Sequence, residues 1–388
     1  MRRLLPVALL LLAGCATVGG GVPPSVSSSP SPPPEASPSS RPPPELTPAA
    51  GTAWFGMNLD WANDSVADVT ERLGASPSVW VQFIRFPLDD GGRGNLDAFV
   101  EQVATVNGIA LITLEPHDGL ASVTPAAAEE FAALVDAYWV ERGVPSIIRF
   151  AHEMNGSWYP WAQQPAAYVE AFQTVAEAVH RLAPASAMAW APNEGAGYPF
   201  IGGAYASTDP SLDTDGDGVI TKRDDPYAPY WPGDDAVDWV GMSIYHWGLV
   251  YPWGENELPA EDTFRNLLTG QITGAHENEV VISDFYGIYA EDHDKPMGVF
   301  ETAALYDPSA LGPSESELKS AWWHQVTDPA IRESFPRLAM INWFEWKKDE
   351  PEVGGVIDWR LTAQPELALE LLAEAPTGWL LLGGLDAP

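Results

Sequence analysis

From Ala53 onward the chain alternates short apolar, β-branched runs with longer stretches in which apolar side chains return every three to four positions. The first pattern predicts strands at 53–58, 79–86, 109–115, 146–153, 187–191, 239–245, 297–301 and 340–344. The second predicts amphipathic helices such as 125–142, 165–182 and 316–335, several of them opened by Ser, Thr or Pro. Eight strand-then-helix units predict an α/β fold, a (β/α)8 TIM barrel forming a single domain. Its chemistry is then expected where the strands end and the following loops begin. A doubly wound sheet is the competing arrangement, but no glycine-rich fingerprint follows a strand here.

The N-terminus breaks this rhythm. Arg2 and Arg3 precede an apolar run from Leu4 to Leu12, far shorter than the ~20 residues that a membrane-spanning helix needs, so residues 1–14 read as a cleaved export signal. The box Leu12-Ala13-Gly14-Cys15 resembles the bacterial lipoprotein signal, which implies lipidation of Cys15 as the new N-terminus. Cys15 is the single cysteine, so no disulfide forms within the chain. Residues 16–50 hold 11 Pro and 8 Ser with almost no large apolar side chain, too little burial to offset ordering entropy. They predict a flexible tether over 15–50, with the folded domain at 51–388. At ~3.1 Å per residue such a tether reaches on the order of 100 Å. The expectation is an exported lipoprotein, in contact with membrane only through its lipid anchor, with its domain facing outward.

Charge and aromatic content narrow the partners. The chain carries 54 acidic against 19 basic residues, a formal net charge of −35, and such a surface repels phosphate backbones and anionic headgroups. Nucleic acid is therefore excluded as a partner. Seventeen Trp, 12 Tyr and 13 Phe exceed what a core of this size needs, so part of them is expected to line a binding surface for neutral rings.

Under the barrel reading, polar residues end several strands: Glu115 the third, His152 and Glu153 the fourth, Tyr245 and His246 the sixth, Glu301 the seventh, with Asn193 just past the fifth. If residues 149, 151 and 153 share one face of a strand, Arg149 points inward with Glu153 and needs a carboxylate, for which Glu115 is a candidate. Two glutamates on strands four and seven face each other across the mouth, and a pair separated by ~5–5.5 Å is what double-displacement glycoside hydrolysis uses. Apolar Met154, Trp158, Tyr159 and Trp161 beside Glu153 favour its protonated form. Tyr245 is placed to donate its hydroxyl to Glu301. Asp284 and Glu345 are the rival carboxylates for the place of Glu301.

The run from Arg149 to Trp161 (RFAHEMNGSWYPW) resembles the acid/base motif of glycoside hydrolase family 26, a clan of retaining (β/α)8 enzymes best known as β-mannanases. Residues 190–193, 238–245, 295–301 and 341–344 look like its later strands, in order. The resemblance spans roughly residues 51 to 374. It implies Glu153 as acid/base, Glu301 as nucleophile and Tyr245 as the nucleophile's hydrogen-bond partner, while His152, directly before the acid/base, is a candidate to position Glu153 or to bind a sugar hydroxyl. Two departures, Ala162 after Trp161 and Thr302-Ala303-Ala304 after Glu301, stand where glycine is common and bear on loop shape. Trp158, Trp161, Trp247 and Trp343 are the candidate sugar platforms, with Asn193 and His246 as further substrate contacts. The implied activity is retaining hydrolysis of a β-glycan, first of all endo-β-1,4-mannan, with mixed-linkage β-glucan and β-xylan as alternatives. A non-hydrolytic glycan-binding lipoprotein is the alternative of a different class. The implied partner is the polysaccharide, the expected state is a monomer, and catalysis needs no cofactor.

A second motif is independent of the first. Within an insertion at 209–226, Asp213, Asp215 and Asp217 occupy positions one, three and five of a twelve-residue calcium loop. Gly218 supplies the turn, Val219 a carbonyl, Ile220 the apolar position and Asp224 the twelfth ligand. Asp224 is shorter than the usual bidentate Glu, so Asp225 is a candidate to complete the shell. The expected cofactor is a structural Ca2+ between strands five and six.

Overall fold

The computed structural model describes residues 42–385 except 250, 252 and 273–279. Cys15, the export signal and most of the expected tether lie outside the described residues. Eight parallel strands form the barrel: β1 (Ala53–Leu59), β2 (Val79–Arg85), β3 (Ile109–Glu115), β4 (Ser146–Phe150), β5 (Ser186–Trp190), β6 (Trp239–Ser243), β7 (Met297–Thr302) and β8 (Leu338–Glu345). Each pairs with its neighbour, and β1 closes the ring on β8 from Trp54 opposite Met340 to Leu59 opposite Glu345. The α/β class and the (β/α)8 barrel expected from periodicity are the observed fold.

Period-two alternation separates the two sides of the wall. Val79 and Val81 of β2, Ile109 and Leu111 of β3, and Trp239 of β6 face a lumen cluster with Trp54, Ile147, Phe300 and Met340. Trp80, Ile84, Ala110, Ile112 and Leu114 point the other way, into the layer beneath the helices. One glycine is demanded by this packing: a Cβ on Gly241 of β6 would lie 2.0 Å from the Gly298 carbonyl oxygen of β7.

Helices α1 (Val66–Leu73), α2 (Asp90–Ala104), α3 (Pro125–Arg142) and α4 (Pro165–Leu182) follow β1 to β4. Thr124 caps α3 by accepting from Ala127 N, Pro125 fills its first turn, and Gly143 ends it in the left-handed conformation. The single helix expected at 316–335 is two, α6 (Glu315–Thr327) and α7 (Pro329–Ser334), after α5 (Thr263–Thr269). Pro329 has no N–H to continue the ladder, and Asp328 instead caps α7 through Ala330 N. α8 (Pro365–Glu374) closes the ring. The β5–β6 connection has no α-helix among its described residues, only 3₁₀ turns at Pro210–Leu212 and Ala228–Tyr230.

The body begins before the expected boundary at Gly51. Leu46 packs against the lumen cluster together with Leu381 and Leu385, and its carbonyl accepts from Trp239 Nε1 at 2.9 Å. Leu380–Leu381 forms a short strand beside the start of β1. Both ends of the described chain thus close the pole at which the strands begin.

Candidate active site

Arg149 near the end of β4 is fully buried, between its register partners Thr113 and Ala189. Its Nε donates to Thr113 Oγ1 at 2.9 Å and its guanidinium lies over the Phe83 ring at 5.0 Å. Nη1 lies 2.7 Å from Glu301 Oε1, but off the N–H direction, so the contact is an ion pair without a linear hydrogen bond. The partner expected from strand order, Glu115, instead approaches His117 at 3.3 Å. Glu301 takes the arginine because it stands deeper, at 6% exposure, where an unpaired charge costs more.

β4 stops at Phe150, not at Glu153. The chain turns through Ala151 and Glu153 with φ of +46° and +53°, a left-handed conformation unfavourable for residues with a Cβ. Neighbouring backbone holds this turn: Glu153 N donates to Ala191 O at 2.8 Å. Buried Asn155 donates from Nδ2 to Asn193 O and accepts from Asn193 N, both at 2.8 Å. Glu153 therefore reaches the mouth through a strained turn and not by strand alternation.

The Glu153 carboxylate accepts from Trp158 Nε1 at 2.9 Å and meets the Ser243 hydroxyl. Ser243 is the register partner of Glu301 across β6 and β7, so the two glutamates flank one small side chain. Burial, then the charge of Glu301, pushes Glu153 up to about 7 against the donors Ser243 and Trp158 and the charge of Arg149. Tyr245 Oη donates to Glu301 Oε2 at 2.7 Å, and burial beside that carboxylate raises the phenol far above its ordinary value. Glu301 is thus held by an arginine on one oxygen and a phenol on the other.

His152 is buried against Phe83, Tyr159 and Trp161, and its Nδ1 has no partner within the protein. Burial, then the nearby charge of Arg149, lowers its basicity, so the imidazole is neutral. Asn193 lies at the mouth with its backbone clasped by Asn155. Trp158 is exposed, and half-buried Trp247 meets Trp359 edge-on at 4.9 Å.

Three expected sugar contacts are corrected. Trp161 is sealed, stacked on Tyr159 at 4.4 Å with Nε1 bonded to His152 O, and Trp343 is sealed with Nε1 bonded to Trp359 O. His246 is buried behind the wall, donating from Nε2 to Glu257 O at 2.6 Å and stacking on Trp322. None of the three presents a face to a ligand. Nor do the rival carboxylates stand at the centre: buried Glu345 accepts from Leu361 N and Thr362 N, and exposed Asp284 accepts from Gly287 N.

Ser243, Asn155 and half-buried Trp346 were not singled out in the sequence. Ser243 was within reach, since it keeps the inward parity of Trp239 and Gly241 along one strand. Trp346, with Nε1 directed at Asn58 Oδ1 and its ring stacked on Phe344, had no such signal.

In the acidic insertion, one oxygen each of Asp213, Asp215 and Asp224 lies within 4.8 Å of the others. Asp217 is not gathered with them; its Oδ1 accepts from Val219 N at 2.9 Å. Asp225 is not gathered with them either; its Oδ1 caps Tyr227 N and Ala228 N while Oδ2 accepts from Ser283 Oγ.

No family model matches the chain. A curated relative, Endoglucanase H of Acetivibrio thermocellus, is 21% identical over 331 residues, 83% of this chain and 30% of that protein, so the chain spans under a third of its length. An endo-β-1,4-mannanase double mutant of Cellulomonas fimi shares the fold with a TM-score of 0.54 at 16% identity, covering 86% of this chain and 73% of that one. The catalytic domain of a family 26 endo-β-1,4-mannanase from Bacillus sp. JAMB-750 does so with a TM-score of 0.52 at 18% identity, covering 83% and 86%. The latter is described as a member of the family that the Arg149–Trp161 motif resembles.

Proposed function

We propose that the protein is a retaining β-glycan hydrolase, and most specifically an endo-β-1,4-mannanase. The observation that carries this reading is the unequal pair: Glu153 pushed up to about 7, beside Glu301 held by Arg149 and Tyr245. In the first step Glu301 attacks the anomeric carbon while Glu153 gives its proton to the departing oxygen. In the second, Glu153 takes a proton from water, which displaces Glu301 and restores both groups. Tyr245 keeps Glu301 aimed, and neutral, buried His152, whose carbonyl accepts from Trp161 Nε1, helps to position Glu153. Asn193, Trp158 and Trp247 line the path of the chain. The resemblance of the Arg149–Trp161 motif and the mannanase neighbours support mannan as substrate. A mixed-linkage or β-1,4-glucan is the second reading, favoured by the relative named an endoglucanase.

We further propose, from the Leu12–Cys15 box and the net charge of −35, an exported lipoprotein acylated at Cys15, monomeric, acting on polysaccharide and not on nucleic acid. The clustered hard oxygen donors of Asp213, Asp215 and Asp224 fit Ca2+, which would supply a structural crosslink in the β5–β6 connection and take no part in bond cleavage.

The test is release of reducing ends from mannan, xylan and mixed-linkage glucan by wild type, Glu153→Gln and Glu301→Gln. Mannan is cleaved, and Glu301→Gln loses about 10³-fold or more in kcat. Polysaccharide retained without shortening points to the binding-protein alternative, and an unimpaired Glu301→Gln enzyme moves the nucleophile elsewhere.

A further inference from the structure

We propose that the loop between β5 and β6 forms a fixed apolar ledge that holds the leaving portion of the glycan, the sugars beyond the cleaved bond on the Glu153 side. The inference rests on the hydrolase reading and names the substrate portion that this loop takes. Trp158, bonded to Glu153 and 37% exposed, meets Phe200 edge-on at 5.2 Å. Beside Phe200 the same loop displays Ile201 at 81% and Tyr205 at 43% exposure. Large apolar side chains shown to solvent next to a cleft are the usual mark of a ligand surface.

The loop is built to keep them there. Buried Gln163 clamps both ends of the stretch that carries them, donating from Nε2 to Pro199 O at 2.9 Å and accepting at Oε1 from Ser207 N at 2.7 Å. Buried Ser157, next to Trp158, takes the middle: its carbonyl accepts from Tyr205 N at 2.9 Å and its hydroxyl from Gly203 N at 3.0 Å. A Cβ on Gly203 would lie 2.2 Å from that carbonyl oxygen, so only glycine allows the approach. Side chains exposed on so constrained a loop need little further ordering when a ligand arrives.

The side is set by chemistry. A general acid delivers its proton to the leaving oxygen, so groups reached from Glu153 through Trp158 lie along the departing sugars and not along the sugar bound to Glu301. The C–H faces of pyranose rings suit such aromatic and aliphatic surfaces, and their neutrality suits a chain of this net charge.

The experiment compares wild type with the Ile201→Ala/Tyr205→Ala double variant, and uses Leu311→Ala, at a still more exposed apolar residue elsewhere, as control. Each is assayed on a dinitrophenyl β-glycoside, which has no sugar on the leaving side, and on oligosaccharides of the cleaved polymer with one to three leaving sugars. The ratio of kcat/KM on the longest oligosaccharide to that on the aryl glycoside falls about tenfold in the double variant, and the fall grows with leaving-side length. Leu311→Ala keeps the wild-type ratio. An unchanged ratio, or an equal loss on both substrates, overturns the ledge. If wild type cleaves none of these polymers, the hydrolase reading fails by itself. Calorimetric binding of the oligosaccharides to wild type and double variant then decides, with equal affinities overturning the ledge.

Discussion

The two poles of the barrel are built on opposite principles. Where the strands begin, Leu46, Leu381 and Leu385 close the lumen beneath Trp54 and Trp239, whose rings stack at 5.9 Å. Where they end, Arg149 Nη2 and His152 Nδ1 are buried without a hydrogen-bond partner, and two residues carrying a Cβ sit in left-handed backbone. Buried polar atoms left unpaired each cost about 1–3 kcal/mol, so the second pole is held at the expense of stability that the first supplies. One end is optimised for packing and the other for meeting a ligand.

Substitutions at the two poles should therefore fail in opposite ways. Glu153→Gln removes activity on polysaccharide without lowering stability, because burial already disfavours the charge it deletes. Trp239→Ala costs about 3–5 kcal/mol in denaturant unfolding, and the folded fraction retains its turnover. A large loss of turnover in folded Trp239→Ala would dissolve the distinction.

A smaller effect separates the two glutamates by pH. As a general acid, Glu153 must be protonated, so kcat/KM falls as pH rises through about 7, and Glu153→Gln loses that limb on aryl glycosides with good leaving groups. The linkage has a definite sign. Its folded pKa is raised, so the favourable contribution of the protonated group is complete at low pH and is lost as pH rises through about 7. Glu153→Gln should therefore melt higher than wild type at pH 8, with little difference at pH 4. A variant less stable than wild type at pH 8 would mean that burial is not what burdens the carboxylate.

The smallest expected effect concerns the acidic insertion in the β5–β6 connection. If Asp213, Asp215 and Asp224 hold Ca2+, chelator lowers Tm by mass action and Asp213→Asn removes that response, with activity on aryl glycosides retained. A Tm indifferent to chelator and to added Ca2+ would leave the loop as an acidic turn.

The barrel was legible because alternation and turn residues repeat eight times, so each unit corroborates the next. Glu153, Glu301 and Tyr245 were legible as strand-end residues that a barrel brings to one mouth. The depth of the aromatics was not: a motif holds Trp158 and Trp161 alike, but only packing against Tyr159 and His152 decides that the second is sealed. The partner of Arg149 was equally hidden, since Glu115 and Glu301 both end strands around the same ring and sequence cannot rank their depth. The end of β4 depended on backbone bonds from the β5 end, which hold Ala151 and Glu153 in a turn that local pattern reads as continued strand.

The carbonyl of Leu46 fastened to Trp239 also fixes where the leading segment meets the body: at the floor, with the cleft at the roof. A bead, surface or fusion partner joined ahead of Leu46 would thus attach at the end of the barrel away from the entrance. Large insoluble chains could then reach it without detaching the enzyme from its support.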